Sequence, residues 1–208
     1  MLTSLDLVAV LNKDEFKYVK YLEFHKTDVL YFESDACNNI DILVKGEIIM
    51  TKSDLDGNEE TFNYMKAPNI FGNNLIFASS NRYLGNVTSY SDVALYRINK
   101  DNLLYLLSNN KTFLTMYLEL LANKSLELSK HLQVISIQNV EKRLLSFLKM
   151  KFKENNGYYQ IHSMTSLAKE LSLPRETTSR MVYKLSRANK FIYIDKTFKE
   201  IKNALDSL

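Results

Sequence analysis

Hydrophobic positions change their period several times along this chain, and each change predicts a different architecture. Over residues 1–23, Leu5, Val8, Leu11, Phe16, Val19 and Leu22 stand among charges at helix-like intervals, which predicts one or two short helices. From Thr27 the apolar residues gather into short runs rich in branched and aromatic side chains: 29–32, 40–44, 48–50, 61–65 and 93–98. Such runs read as strands. Lys45-Gly46-Glu47, Asp56-Gly57-Asn58, Pro68-Asn69 and Phe71-Gly72 separate them as turns, and Asp-Gly is a strong hairpin signal. Many short strands at this spacing predict a sandwich or a jelly-roll barrel.

The period then lengthens. Over residues 112–136, Leu114, Leu118, Leu121, Ser125, Leu128, Leu132 and Ile135 follow at alternating intervals of four and three, broken only by Ser125. A sustained 3.5-residue repeat predicts a coiled-coil seam. The plainer alternative is a core helix packed on its own barrel, and Phe113, Tyr117 and Leu120 form a second apolar strip fit for that job. Two strips ask for two partners, so the helix is expected to meet both its own barrel and a second subunit.

Residues 136–141 read as a hinge with Asn139 as N-cap, followed by a helix over 140–153 that buries Leu144, Leu145, Phe147 and Leu148. Asn155-Asn156-Gly157 ends it, and residues 158–161 form a short strand. Ser163 to Leu185 then reads as a helix-turn-helix. Ser163 is the N-cap, Leu167, Ala168 and Leu171 recur at helical spacing, and Ser172-Leu173-Pro174 breaks the helix, since a residue before proline avoids the α region. The second helix starts at Pro174 or Arg175 and buries Thr178, Met181, Val182 and Leu185. Its other face carries Arg175, Glu176, Ser179 and Arg180. Arginine matches the two acceptors of guanine in the major groove, and glutamate accepts from the cytosine amino group. An ordinary helical hairpin with a solvated charged face is the competing reading. Beyond Asn189, residues 191–194 and 197–198 predict a β-wing with Asp195-Lys196 at its tip, and residues 198–208 a short closing helix.

Charge sharpens this division. Residues 138–208 hold fourteen Lys and Arg against seven Asp and Glu, whereas residues 1–137 hold thirteen against seventeen. A basic C-terminal third beside an acidic remainder fits a phosphate-facing domain joined to one that is not. Cys37 is the only cysteine, which excludes an internal disulfide and a four-cysteine cluster. It reads as a small core or surface residue, with a redox switch as the alternative. His25, His131 and His162 are scattered and predict no metal or haem site. No apolar run approaches ~18 residues and no signal peptide opens the chain, so a soluble, cytoplasmic protein is expected.

The order Arg-Glu-Thr-x-x-Arg after Ser-Leu-Pro makes residues 163–185 resemble the DNA-reading motif of the CRP/FNR family of bacterial transcription regulators. The resemblance extends, more loosely, over roughly residues 20–200. It implies an α+β chain: a double-stranded β-roll (jelly-roll) sensor domain over 1–110, a long dimerisation helix over 111–137, and a winged helix-turn-helix DNA-binding domain over 138–208. Lys45-Gly46-Glu47 and Asp56-Gly57 then lie where the family has its roll hairpins. The resemblance places Arg175, Glu176, Ser179 and Arg180 on base edges. Ser163, Thr165 and Thr177 fall on the DNA backbone by the same resemblance, and Lys184 and Lys190 are expected near it. With both Arg175 and Ser179 present, TGTGA-like and TTGAT-like half-sites both stay open. Double-stranded DNA, a second copy of the chain and RNA polymerase are the implied partners.

The family's cyclic-nucleotide binders carry Phe-Gly-Glu, an apolar pair, and then Arg-Ser-Ala. Here Phe71-Gly72-Asn73 replaces the acid, and Tyr83 and Leu84 fall on the arginine and serine positions, with Arg82 one residue away. A buried cyclic phosphate needs a charge partner and donors, so cyclic AMP is not expected to bind. Asn73, Tyr83 and Leu84, with Leu128 and Ser129 on the helix, would line a pocket for a less anionic effector of unknown identity, or none. No cofactor or metal is expected. A metal-dependent roll enzyme needs a His-x-His cluster that is missing, so no catalytic residue is assigned. A roll-based signalling or protein-interaction module with a degenerate DNA domain is the remaining alternative, and intact Arg175, Glu176 and Arg180 argue against it.

Overall fold

The computed structural model of the chain describes residues 3–53 and 59–201. These fall into two compact units that meet in sequence at Lys124 and Ser125.

In the first unit, α1 (Asp6–Ala9) and a single 3-10 turn (Phe16–Tyr18) lead into β1 (Lys20–Phe24). The expected helix through residue 23 is therefore corrected. Leu22 and Phe24 are half-buried around exposed Glu23, a two-residue period that the three-residue step from Val19 to Leu22 concealed. Seven more strands follow: β2 (Val29–Tyr31), β3 (Asn39–Lys45), β4 (Glu47–Ser53), β5 (Glu59–Lys66), β6 (Asn69–Phe71), β7 (Asn86–Ser89) and β8 (Val93–Asn99). They form two four-stranded antiparallel sheets, ordered β1-β8-β3-β6 and β2-β7-β4-β5.

Two turn assignments change in this light. Lys45-Gly46-Glu47 is not a hairpin, because β3 and β4 lie in different sheets. The chain turns a corner there, and Gly46 is required: its φ is +86°, and a Cβ would come within 2.2 Å of the Asp92 carbonyl. Asn69, expected in a turn, opens β6 and pairs with Leu43. The Asp56-Gly57-Asn58 turn lies outside the described residues, although β4 and β5 on either side of it pair as expected, Ser53 opposite Glu59.

The core between the sheets holds Ile40, Ile42, Leu43, Ile48, Leu95 and Ile98, all with no exposure. α2 (Lys100–Asn109), for which the hydrophobic pattern predicted nothing, starts where the Asn99 side chain accepts from the Asn102 amide at 2.8 Å. α3 (Lys111–Ile135) begins by burying Phe113 and Tyr117 in the roll core, with Leu120 and Leu121 half-buried against it. The second apolar strip thus packs as expected. Along the seam, Leu118, Leu128 and Leu132 are more than half exposed, Ser125 is exposed, and Leu114 and Ile135 are half-buried.

The second unit contains α4 (Val140–Glu154), β9 (Tyr158–Gln160), α5 (Met164–Glu170), α6 (Arg175–Arg187), β10 (Phe191–Ile194) and β11 (Thr197–Glu200). The three strands form one sheet in the order β10-β11-β9. Phe147, Phe152, Phe191 and Phe198 fill its core with Leu144, Leu167, Val182 and Leu185. Truncating any one of these phenylalanines to alanine costs about 3–5 kcal/mol. Phe198 belongs to β11, so the expected closing helix does not begin there; residues 202–208 lie outside the described residues.

Candidate nucleic-acid interface

Local backbone chemistry sets the geometry of α5 and α6. Asn139 caps α4, its side chain accepting from the Lys142 amide at 2.9 Å. Ser163 and Ser166 cap α5 reciprocally, each hydroxyl accepting from the other's amide at 3.0 Å. The α5 end is a Schellman turn. The Ser172 amide donates to Lys169 O (3.0 Å) and the Leu173 amide to Ala168 O (2.9 Å), with Ser172 at φ +51° in place of the usual glycine. Pro174 then stands at the N-cap position of α6, without a side-chain hydrogen bond. Asn156 after α4 and Asn189 after α6 occupy the same left-handed position. At the tip of the β10–β11 hairpin, Asp195 and Lys196 both have positive φ, as a two-residue I′ turn demands.

α6 is sharply two-sided. Thr178, Val182 and Leu185 are buried and Met181 is half-buried, while Arg175, Glu176 and Arg180 are exposed on the opposite face. Ser179 and Thr177 are half-buried beside them. Thr165 is exposed on α5, and Ser163 is half-buried with its hydroxyl engaged in the capping box. Lys190 is half-buried just past the α6 end. Lys184 is exposed, its ammonium 2.9 Å from the Glu141 carboxylate of α4.

Three features escaped the sequence. Arg143 donates from Nε to Ile137 O (2.8 Å) and from Nη1 to Leu171 O (3.0 Å), tying the start of α4 to the α5–α6 turn. Tyr183 and Arg187 line an open groove along α6 with Arg180, Lys184 and Ala188. Under α5, the Tyr159 hydroxyl donates to both Glu170 oxygens at 3.0 Å. Burial pushes the Glu170 carboxyl above the usual glutamate range, against the opposing pull of Tyr159, Lys151 and His131. The Arg143 and Tyr159 pairings join residues on different elements and have no local sequence signal, whereas the groove residues all lie along α6 and its C-cap.

In the roll, Asn73 and Tyr83 are buried, whereas Leu84 is 70% exposed and Arg82 points outward to donate to Ser34 O at 2.7 Å. Leu128 and Ser129 are exposed and belong to the second unit. The Tyr83 ring stacks on Tyr31 (centroids 4.2 Å), which also meets Phe71 edge-on. Tyr31 donates to Asp41 at 2.7 Å, and Arg97 binds the same carboxylate through two bonds of 2.7 and 2.8 Å. Gly72 has φ +80°, and a Cβ there would lie 2.5 Å from the Asn39 carbonyl. Cys37 sits in this cluster with no exposure, its thiol donating to the Tyr83 hydroxyl at 3.6 Å. Burial raises the thiol pKa, the opposite of a reactive thiolate. Among the described residues no cluster of His, Cys, Asp and Glu is able to hold a metal, and no helix is long and apolar enough to cross a membrane.

Residues 21–110 match the family model of the cyclic nucleotide-binding domain. No curated protein matches the chain by sequence. Solved structures resemble it over nearly its whole length. A CooA variant from Carboxydothermus hydrogenoformans superposes with a TM-score of 0.75 at 13% identity, covering 99% of this chain and 94% of its own. FixK2 from Bradyrhizobium japonicum gives 0.68 at 14% identity, covering 91% and 96%. The c-di-GMP responsive global regulator CLP of Xanthomonas campestris gives 0.66 at 14% identity, covering 96% and 99%. Residues 21–110 are thus similar to the cyclic nucleotide-binding domain, and the chain has the same overall fold as these solved structures.

Proposed function

We propose that the protein is a sequence-specific DNA-binding transcription regulator, a homodimer that reads a two-fold palindrome without control by cyclic AMP. The observation that carries this reading is α6, with Arg175, Glu176 and Arg180 exposed on one face and Thr178, Val182 and Leu185 locked in the core on the other. A helix held so firmly from behind presents guanine- and cytosine-reading side chains in fixed register. In this reading residues 138–208 are a winged helix-turn-helix, with β10 and β11 as the wing. Residues 111–137 are the dimerisation helix, its exposed Leu118, Leu128 and Leu132 meeting their counterparts in a second copy. Residues 1–110 are the sensor roll. RNA polymerase is the natural further partner.

Independence of cyclic AMP rests on chemistry. The cassette acid is replaced by Asn73, and Tyr83 in the arginine position has its ring stacked on Tyr31. Selection of bound duplexes from a random pool tests the whole reading. A palindrome with half-sites about one helical turn apart, ~34 Å, is expected; binding indifferent to sequence overturns it. Calorimetric titration with cyclic AMP is expected to show no micromolar binding.

A further inference from the structure

Lys184 and Glu141 form an ion pair between α6 and the first turn of α4, at 2.9 Å and with both side chains substantially open to solvent. Lys184 also lines the open groove on α6, together with Arg180, Tyr183 and Arg187. Neither Arg180 nor Arg187 has an ion-pair partner among the described residues. Tyr183 is steadied edge-on by Tyr193 of β10 (centroids 6.1 Å), with its ring still half exposed. Beside base-facing Arg180, the groove therefore offers the Arg187 fork, an ammonium and a phenol, and one acid from a distant part of the chain answers the ammonium. That donor set suits a phosphodiester: the fork binds two oxygens, and the ammonium adds a point charge.

We propose that this groove seats a phosphate of the bound duplex, and that Glu141 is its resident counter-charge, exchanged for the phosphate on Lys184 when DNA arrives. The proposal rests on the DNA-binding reading above. The exchange is feasible because a solvent-open pair is weak and easily displaced. It also fixes an unusual sign: removing an acid that touches no DNA strengthens DNA binding. In the wild type, the Glu141 carboxylate regains a salt cation as the phosphate leaves its own, so the groove contributes little to the net release of ions.

The full-length protein, titrated with its selected operator and with an unrelated duplex at several salt concentrations, tests this. Glu141→Gln is expected to tighten both duplexes alike, by up to about fivefold. The slope of log K against log salt should steepen by about 0.9, one further counterion. In a Lys184→Met background the gain should vanish, and Glu154→Gln, the same charge change at the far end of α4, should give none. The exchange is overturned if Glu141→Gln gives no gain, if its gain persists undiminished without Lys184, or if Glu154→Gln matches it. Wild-type protein that binds no duplex even at low salt overturns the DNA reading itself, a separate and earlier failure.

Discussion

Asp41 and Arg97 stand directly opposite one another on β3 and β8 and close a two-pronged ion pair inside the roll. Asp41 has no exposure, and Tyr31 donates to it as well. A carboxylate so placed depends on its partner. Arg97→Met should therefore cost about 3–5 kcal/mol, because the buried charge is left uncompensated. The double change Asp41→Leu with Arg97→Met should recover most of that loss. Urea denaturation of the three proteins decides the matter; a single mutant as stable as the wild type would show the pair to be ornamental.

Glu170 makes a pH prediction in the second unit. Burial raises its folded-state pKa, so the native state holds the proton more tightly than the unfolded chain. The corresponding stability is complete below the ordinary glutamate pKa and is lost as pH rises through the raised folded value. Glu170→Gln keeps an acceptor for Tyr159 and carries no charge. It should melt at a higher temperature than wild type near neutrality, and the difference should close below the ordinary glutamate pKa. Melting curves across that range test the sign.

The exposed leucines of α3 predict assembly. Charged residues in place of Leu118 and Leu128 should give monomers without lowering the melting temperature of the roll, since both side chains are more than half exposed. Leu121 is a poorer choice despite its place in the heptad, because it packs against the roll core and its loss would confuse folding with association. Sedimentation showing an unchanged dimer would remove the seam.

Arg180→Ala should cost roughly 1–3 kcal/mol per half-site and relax preference at one base position. Lys190→Ala should weaken all sequences alike and flatten the salt slope by about one unit. Competition binding with single-base operator variants separates the two, since a phosphate is the same at every step and a base edge is not.

How far these features could be read from the chain depends on the distance over which each is determined. Asn139, Ser163, Leu173-Pro174 and Asp195-Lys196 are local signals: a cap or a turn is settled within four residues, and all were legible. β6 and β7 were not, because three or four residues containing Asn69, Asn86 and Thr88 become strands only when neighbours supply the ladder. The Asp41–Arg97 pair joins residues 56 apart and the Lys184–Glu141 pair residues 43 apart, so neither has a local signature. Ser172 was legible as a turn but not as a left-handed residue, since serine does not advertise the positive φ that glycine does. The exposed face of α6 was legible because helical period alone sorts its residues into two sides; the edge-on contact of Tyr193 with Tyr183 was not, because it joins α6 to β10.

The tyrosine-filled roll bears finally on how such a protein would be set. A receptor with an empty chamber is silent until its ligand supplies the missing packing. In this chain Tyr31, Tyr83 and Tyr117 already occupy the roll's interior as buried rings. Under the reading proposed above, in which cyclic AMP exerts no control, the number of copies made is a quantity left to adjust. Where two copies must join before an operator is read, occupancy at low abundance climbs as the square of that number, so a modest change in synthesis acts as a threshold.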